Sequence, residues 1–161
     1  VFMKMSTKHE IETTSIALQV ILCITSAFTI IAEIFSIREL INAVEDNAIL
    51  VTQIKQVIYY LFFIAIQIVA FLIFRTISKN KTPFLIQISR NIKIIGGLIM
   101  FSGAIAQWTA DIISSITSKH VQFTIIDESI LLGLLLGLIF ACLGSIFDYG
   151  CILQKQDDET L

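Results

Sequence analysis

Charged side chains are scarce in this sequence. Asp, Glu, Lys and Arg make up 15% of its 161 residues, where soluble domains have about a quarter. The formal net charge of −2 leaves no basic field to hold phosphates, so we expect no direct contact with nucleic acid. One proline and seven glycines leave little room for long loops. The composition therefore excludes an ordinary soluble domain and a nucleic-acid module.

Motifs that carry chemistry are also missing from the sequence. The three cysteines have no metal or redox spacing. There is no catalytic triad, phosphate-binding loop or zinc signature. We therefore predict no cofactor and no metal. Whether the protein is an enzyme stays open, and the sequence favours a non-enzymatic role.

Apolar residues are abundant instead, at 56% of the chain, and the mean hydropathy is +0.87. A helix needs about 20 apolar residues to cross the hydrocarbon core of a bilayer. Four stretches reach about this length, namely residues 15–34, 57–74, 94–113 and 130–147. In lipid, only a helix satisfies all backbone polar groups within one segment. We predict an all-α integral membrane protein, a four-helix bundle forming one transmembrane domain (1–161) with a C-terminal tail (148–161).

The distribution of Lys and Arg predicts how the spans are oriented. Eight of them lie before span one, between spans two and three, or after span four: Lys4, Lys8, Arg75, Lys79, Lys81, Arg90, Lys93 and Lys155. The other two links hold only Arg38, Lys55 and Lys119. The positive-inside rule then places both termini and the middle link in the cytoplasm of a plasma-membrane protein. The first apolar run is longer than the apolar core of a signal peptide, which has about 7–15 residues, so we expect it to be a retained span.

The link between spans one and two has a helical pattern on both sides of a turn signal. Before the turn, the apolar residues at helical spacing are Ile37, Leu40, Ile41 and Val44. Glu45, Asp46 and Asn47 form the turn signal. We predict that spans one and two extend outward as a helical hairpin with its tip at Asp46. An irregular loop is the alternative.

The residues between spans two and three predict the start of the helix that leads into span three. Thr82 is a suitable helix cap and Pro83 a suitable first residue. Apolar residues then follow at helical spacing, namely Phe84, Ile88, Ile92 and Ile95. We expect an amphipathic segment near the inner headgroups, where its cations contact anionic lipid. A role in setting topology alone is the alternative.

Polar residues within the spans form stripes that we expect to face the bundle interior, because polar groups are costly in lipid. The stripes are Ser15, Gln19, Ser26, Thr29 and Glu33 on span one, Gln56, Tyr60 and Gln67 on span two, and Gly103, Gln107 and Asp111 on span three. Gly133, Gly137, Ala141 and Ser145 form a stripe of small residues on span four. Small residues let helices approach closely. This stripe predicts packing within the bundle or, alternatively, a seam between copies in a homo-oligomer.

Carboxylates gather at the outer ends of the spans. Glu33 and Asp111 lie there, and Asp127 and Glu128 begin span four. Together with Gln107 they are a candidate outer acidic face that attracts a cationic peptide, a metal ion or a proton. The alternative is that the two intramembrane carboxylates are hydrated or paired with Arg38 or Lys55.

The middle link and the tail carry a family resemblance. The residues concerned are Thr82-Pro83-Phe84, Arg90, Ile95-Gly96, Phe147-Asp148-Tyr149-Gly150, Leu153-Gln154 and Asp158-Glu159-Thr160-Leu161. This pattern resembles an uncharacterised bacterial family of small four-span membrane proteins, common in Firmicutes and often encoded beside a helix-turn-helix regulator. Lys155 departs from a tail that is usually more acidic. The resemblance implies a plasma-membrane protein with a cytoplasmic recognition face, and no activity.

Charges on the cytoplasmic side suggest where a partner binds. They are Arg75, Lys79, Lys81, Arg90 and Lys93 in the middle link, and Asp157, Asp158 and Glu159 in the tail. We expect a docking site for a cytoplasmic regulator; pairing within the chain is the alternative.

Three functions are therefore open. The first is a non-enzymatic sensor or immunity-type protein that binds a cationic ligand outside. The second is a small oligomeric transporter or ion-permeation protein that uses Glu33, Gln67, Gln107 and Asp111. The third is a membrane enzyme that acts on lipid, with Asp111 or Glu33 as acid or base.

Overall fold

The computed structural model describes residues 2–42, 47–118 and 123–159. These residues form four α-helices: α1 (Phe2–Asn42), α2 (Asn47–Asn80), α3 (Ile86–Ser118) and α4 (Glu128–Glu159). Each helix contains a segment long and apolar enough to cross a membrane, and these segments are His9–Asn42, Ile49–Asn80, Ile86–Thr117 and Glu128–Gln156. The prediction of an all-helical protein with four spanning helices is confirmed at this level.

The helices pack in chain order. α1 packs on α2, α2 on α3 and α3 on α4, and no other helix pair is in contact within the described ranges. The result is an open four-helix bundle with α1 and α4 at its two edges. Large apolar side chains on these edge helices are exposed, for example Phe28 and Ile146. Such a surface is compatible with lipid and not with water, so it supports contact with a bilayer.

Two apolar clusters hold this order. One joins Leu50 and Ile54 of α2 to Ala110 of α3, with Leu40 of α1 packed against them. The other joins Ile73 of α2 to α3 and α4, and its further members are Ile88, Ile95, Phe140 and Phe147. The clusters lie at opposite ends of the bundle. The first lies near the α1–α2 link and the second near the α2–α3 link, so consecutive helices are antiparallel.

α1 is longer than a membrane crossing requires. Its 41 residues rise about 1.5 Å each, which gives roughly twice the 30 Å or so of bilayer hydrocarbon. α1 ends at Asn42 and α2 begins at Asn47. The predicted hairpin tip at Asp46 lies outside the described residues, and the outward extension of the hairpin stays a prediction.

The α2–α3 link differs from the predicted helix start at Thr82 and Pro83. α3 begins at Ile86, because the Thr82 hydroxyl accepts the backbone N–H of Phe84 at 3.3 Å and holds a turn instead. Lys81 has a positive φ of 54°. The turn places the Phe84 ring 6.1 Å from that of Phe147 on α4, so the link is fastened to α4 before α3 begins.

Candidate functional site

The face of α1 that packs against α2 is polar along most of its length. α1 contacts only α2, so the buried residues of α1 mark this seam. They are Ser15, Thr29, Glu33 and Ser36, with Gln19 and Ser26 half-buried. The spacing of three and four residues follows one helix face. Polar residues at such a seam join helices in lipid by hydrogen bonding, where apolar contact gives no advantage over lipid.

Hydrogen bonds between the two helices fix the position of this seam. The Gln67 amide donates to the Thr29 hydroxyl at 3.3 Å. Nearer the α1–α2 link, the Gln53 amide donates to the exposed Glu39 carboxylate at 3.0 Å. At the other end, Lys81 pairs with Glu12 of α1 at 2.7 Å. Of the polar residues predicted on spans one and two, Thr29 and Gln67 therefore meet in the α1–α2 seam.

Glu33 lies between the Thr29 and Glu39 contacts and has no partner of its own. Its side chain is only 6% exposed, and neither carboxylate oxygen has a hydrogen-bond partner within the described ranges. No ion pair joins it to Arg38 or Lys55 among those residues. An isolated carboxylate is one of the costliest groups to bury in a membrane. Glu33 is therefore a buried carboxylate whose charge the described residues leave uncompensated.

Asp111, the other carboxylate within a predicted span, accepts hydrogen bonds with both of its oxygens. It is 8% exposed. One of its oxygens accepts from the Gln107 amide at 2.9 Å and the other accepts the backbone N–H of Thr124 at 2.8 Å. Beside this contact, the rings of Trp108 and Phe123 stack with centroids 6.3 Å apart. Asp111 therefore anchors the chain that leads into α4.

Asp127 also has a structural role, because it caps the N-terminus of α4. Its carboxylate accepts the backbone N–H of Glu128 at 2.6 Å and the hydroxyl of Ser129 at 3.2 Å. These bonds satisfy groups at the helix N-terminus that have no partner within the helix. Glu128 itself is exposed. The sequence could signal this cap, because an aspartate before a long apolar run is a typical N-cap.

The structure divides the predicted acidic face into two parts. Glu33 lies in the α1–α2 seam, whereas Gln107, Asp111, Asp127 and Glu128 belong to α3 and the start of α4. α1 contacts neither α3 nor α4 in the described parts of the chain. Within those same parts, no three His, Cys, Asp or Glu residues gather closely enough to hold a metal ion. The candidate site is thus a single carboxylate in a polar seam.

The small residues of α4 lie against α3. A methyl group added at Gly137 would lie 2.7 Å from the Gly96 carbonyl oxygen, and one at Gly133 would lie 2.9 Å from the Ile99 carbonyl oxygen. The backbone nitrogen of Ala141 is also close to Gly96. This part of the stripe is used within the bundle. A seam between two copies of the chain finds no support here, because α3 already covers these glycines.

Ser145 departs from the stripe, since it is exposed and its hydroxyl bonds back to its own helix. Gly144 takes its place, and its carbonyl accepts the hydroxyl of Ser89 on α3 at 2.7 Å. A helix has 3.6 residues per turn, so residues spaced by four drift off one face while residues seven apart stay on it. Sequence reasoning missed Ser89 and Gly144. The seven-residue spacing of Ser89, Gly96 and Gly103 on α3 was the signal that could have found them.

The charges predicted for partner contact fall into two groups. Lys81 pairs with Glu12 of α1, and Lys93 pairs with Asp148 of α4. The cations without an ion pair among the described residues are Arg75, Lys79 and Arg90. In the tail, α4 stays helical to Glu159, which pairs with Lys155 on the same helix at 3.8 Å. The side chains of Asp157 and Asp158 lie outside the described part of the chain.

The fold defines a class: an all-helical protein with four helices able to span a membrane and an apolar surface suited to lipid. No protein-family model matches the chain, and neither a curated protein nor a solved structure is significantly similar to it.

Proposed function

We propose that the protein is a non-enzymatic multi-pass protein of the bacterial plasma membrane, of the sensor or immunity type. Both termini and the α2–α3 link lie in the cytoplasm, and the α1–α2 hairpin extends outside. A cationic ligand binds at Glu33 from the outer side, and the cytoplasmic ends of the helices contact a regulator. The family resemblance supports a helix-turn-helix regulator as that partner. The observation that carries the proposal is the buried carboxylate of Glu33 without a partner.

The carboxylate of Glu33 favours a small cation over a large one. Its neighbours enclose it within the seam, so a bulky cationic peptide has little access to it. A small cation there supplies the missing charge and draws α1 and α2 together. Binding that prefers the tightened seam shifts the helix pair toward that arrangement. The Glu12–Lys81 pair joins α1 to the residue that directly follows α2, on the cytoplasmic side, so a change in the seam reaches the cytoplasmic face.

The first prediction concerns Glu33→Gln, with Glu39→Gln as the matched control. Glu39 lies on the same helix but is exposed. We expect Na⁺ or Ca²⁺ to raise the thermal unfolding midpoint of the wild type and of the Glu39 variant, but not that of the Glu33 variant. At alkaline pH, where the carboxylate is ionised, and without added cation, Glu33→Gln should be more stable than the wild type by about 1–3 kcal/mol, because burying an amide costs less than burying an unpaired charge. Differential scanning fluorimetry of the detergent-purified chain, in a buffer whose only other cation is large and organic, measures both.

Two results contradict the proposal. One is an equal response of the Glu33 variant and the wild type to both ions. The other is a wild type that responds to neither ion while a lysine-rich peptide stabilises it through the exposed acids alone. In either case Glu33 is not a cation site.

A specific observation also favours ion permeation as a second candidate. The polar line on α1 runs from Ser15 to Ser36 along the α1–α2 seam, and so follows most of the membrane-spanning length. In liposomes, a wild-type sodium flux that Glu33→Gln removes would favour permeation. Binding of Na⁺ without flux would favour the sensor.

A further inference from the structure

The α2–α3 link leaves a cavity beside the last turns of α2. Its volume is about 440 Å³, and its lining residues are Leu72, Arg75, Thr76, Lys79, Asn80 and Gln87. A second cavity of about 410 Å³ adjoins it and shares Asn80 and Gln87. The remaining lining of this second cavity is largely apolar and includes Phe84 and Ile86. Cationic and apolar surfaces therefore meet at this end of α2.

The charge in the first cavity has no counter-charge from the described part of the chain. Arg75 and Lys79 lie four residues apart on one face of α2, and neither forms an ion pair within the described ranges. The two other cations near the link, Lys81 and Lys93, are paired with carboxylates. Among the described residues, the cations that line the cavity are therefore available to an external anion.

The expected depth of the cavity in the membrane favours a lipid headgroup as that anion. Arg75 directly follows the charge-free run of residues 57–74, so the cavity lies where hydrocarbon gives way to headgroups. Ile86, in the adjoining cavity, is 73% exposed, which suits insertion at the interface. Basic pockets between membrane helices on the cytoplasmic side bind phosphate-bearing lipid headgroups. Leu72 lies about one helical turn from Arg75 on the side of the hydrocarbon core, where the acyl chains of a bound lipid would extend.

We propose that this cavity binds the headgroup phosphate of an anionic phospholipid of the inner leaflet. Arg75 and Lys79 contact the phosphate oxygens, and the Gln87 amide offers a further hydrogen-bond donor. Thr76 and Asn80 form the polar wall of the cavity. The Asn80 side chain is held in place because its amide donates to the Thr76 carbonyl at 2.9 Å. Lipid bound there joins the end of α2 to the start of α3. This site is independent of Glu33.

The test compares Arg75→Gln and Lys79→Gln with Arg90→Gln. Arg90 is an exposed and unpaired cation near the same link, and it is not among the residues that line the two cavities. The purified full chain is titrated with phosphatidylglycerol or phosphatidylcholine, and native mass spectrometry counts the bound lipid. We expect the wild type to prefer phosphatidylglycerol. Each cavity variant should lose about fivefold in affinity for that lipid, and Arg90→Gln less than twofold.

Control variants and a competition experiment show which results would contradict the proposal. The charge-preserving pair Arg75→Lys and Lys79→Arg should retain the preference, which separates loss of charge from loss of folding. Equal retention of the two lipids by the wild type would overturn the proposal. So would an equal loss in Arg90→Gln, because the effect would then be a general surface charge. If inorganic phosphate displaces the lipid at similar concentration, the site recognises free phosphate and the lipid assignment is wrong.

Discussion

Gly137→Ala is expected to destabilise the protein by about 2–3 kcal/mol or more, although alanine is the better helix former. The added methyl group would lie 2.7 Å from both the Gly96 carbonyl oxygen and the Met100 side chain. A backbone carbonyl cannot move aside as a flexible side chain can, so α3 and α4 must separate. For a chain of this size the loss corresponds to a fall of roughly 4–12 °C in the unfolding midpoint. Thermal unfolding in mild detergent, followed by circular dichroism, measures it.

Gly97→Ala is the matched control for this substitution. Gly97 is the neighbour of Gly96 on α3, and nothing lies within 4 Å of a methyl group added there. The variant should gain up to about 1 kcal/mol, since alanine restricts the unfolded chain and favours helix. The same chemical change thus has opposite signs at the two positions. A Gly137 variant as stable as the Gly97 variant would show that α3 and α4 do not approach this closely.

Asp111→Ala is expected to have the second-largest effect, a loss of about 1–3 kcal/mol. The carboxylate accepts hydrogen bonds from the buried Gln107 amide and the backbone N–H of Thr124. Alanine leaves the buried Gln107 amide without an acceptor, and a buried donor that is not paired costs about 1–3 kcal/mol. The Thr124 N–H belongs to an exposed residue, so solvent replaces the carboxylate there at little cost in stability, but the link before α4 loses its anchor. We expect faster amide hydrogen exchange over residues 123–127, measured by mass spectrometry, together with a lower unfolding midpoint.

Asp111→Asn separates the charge of this residue from its hydrogen bonds. Asparagine keeps one acceptor oxygen and most of the shape, so the loss should be about half that of alanine or less. Unchanged exchange over residues 123–127 in the alanine variant would contradict the anchoring role. The result would then return Asp111 to the set of candidate ligand-binding carboxylates.

The spans were predictable because membrane insertion depends on the apolar length of each segment alone. Residues 57–74 and 130–147 carry no charge, and nothing about their neighbours is needed to place them in helices. The polar stripe of α1 was predictable for a related reason. Polar residues in lipid must face protein, and spacing alone shows that Thr29 and Glu33 share a face.

Contacts between distant segments could not be predicted. The partner of Asp111 is a backbone N–H of the link before α4, and the sequence does not identify backbone donors. Whether Glu33 and Asp111 meet depends on which helices are neighbours, and the sequence did not show that α1 contacts α2 alone in the described ranges. The later start of α3 was missed because the Thr82 hydroxyl accepts the backbone N–H of Phe84 and holds a turn, although the same residue type is also a typical helix cap.

The central proposal is that the four helices cross a membrane, with the α2–α3 link and both ends of the chain in the cytoplasm. Cysteine labelling tests it most directly. Cys23, Cys142 and Cys151 are replaced by alanine, and single cysteines are introduced at Asn42, Thr82, Ile126 or Gln154. A membrane-impermeant maleimide on intact cells should label positions 42 and 126, and should reach positions 82 and 154 only after the membrane is opened. Labelling of position 82 together with 42 on intact cells, or of 82 and 154 from opposite sides, would contradict the account.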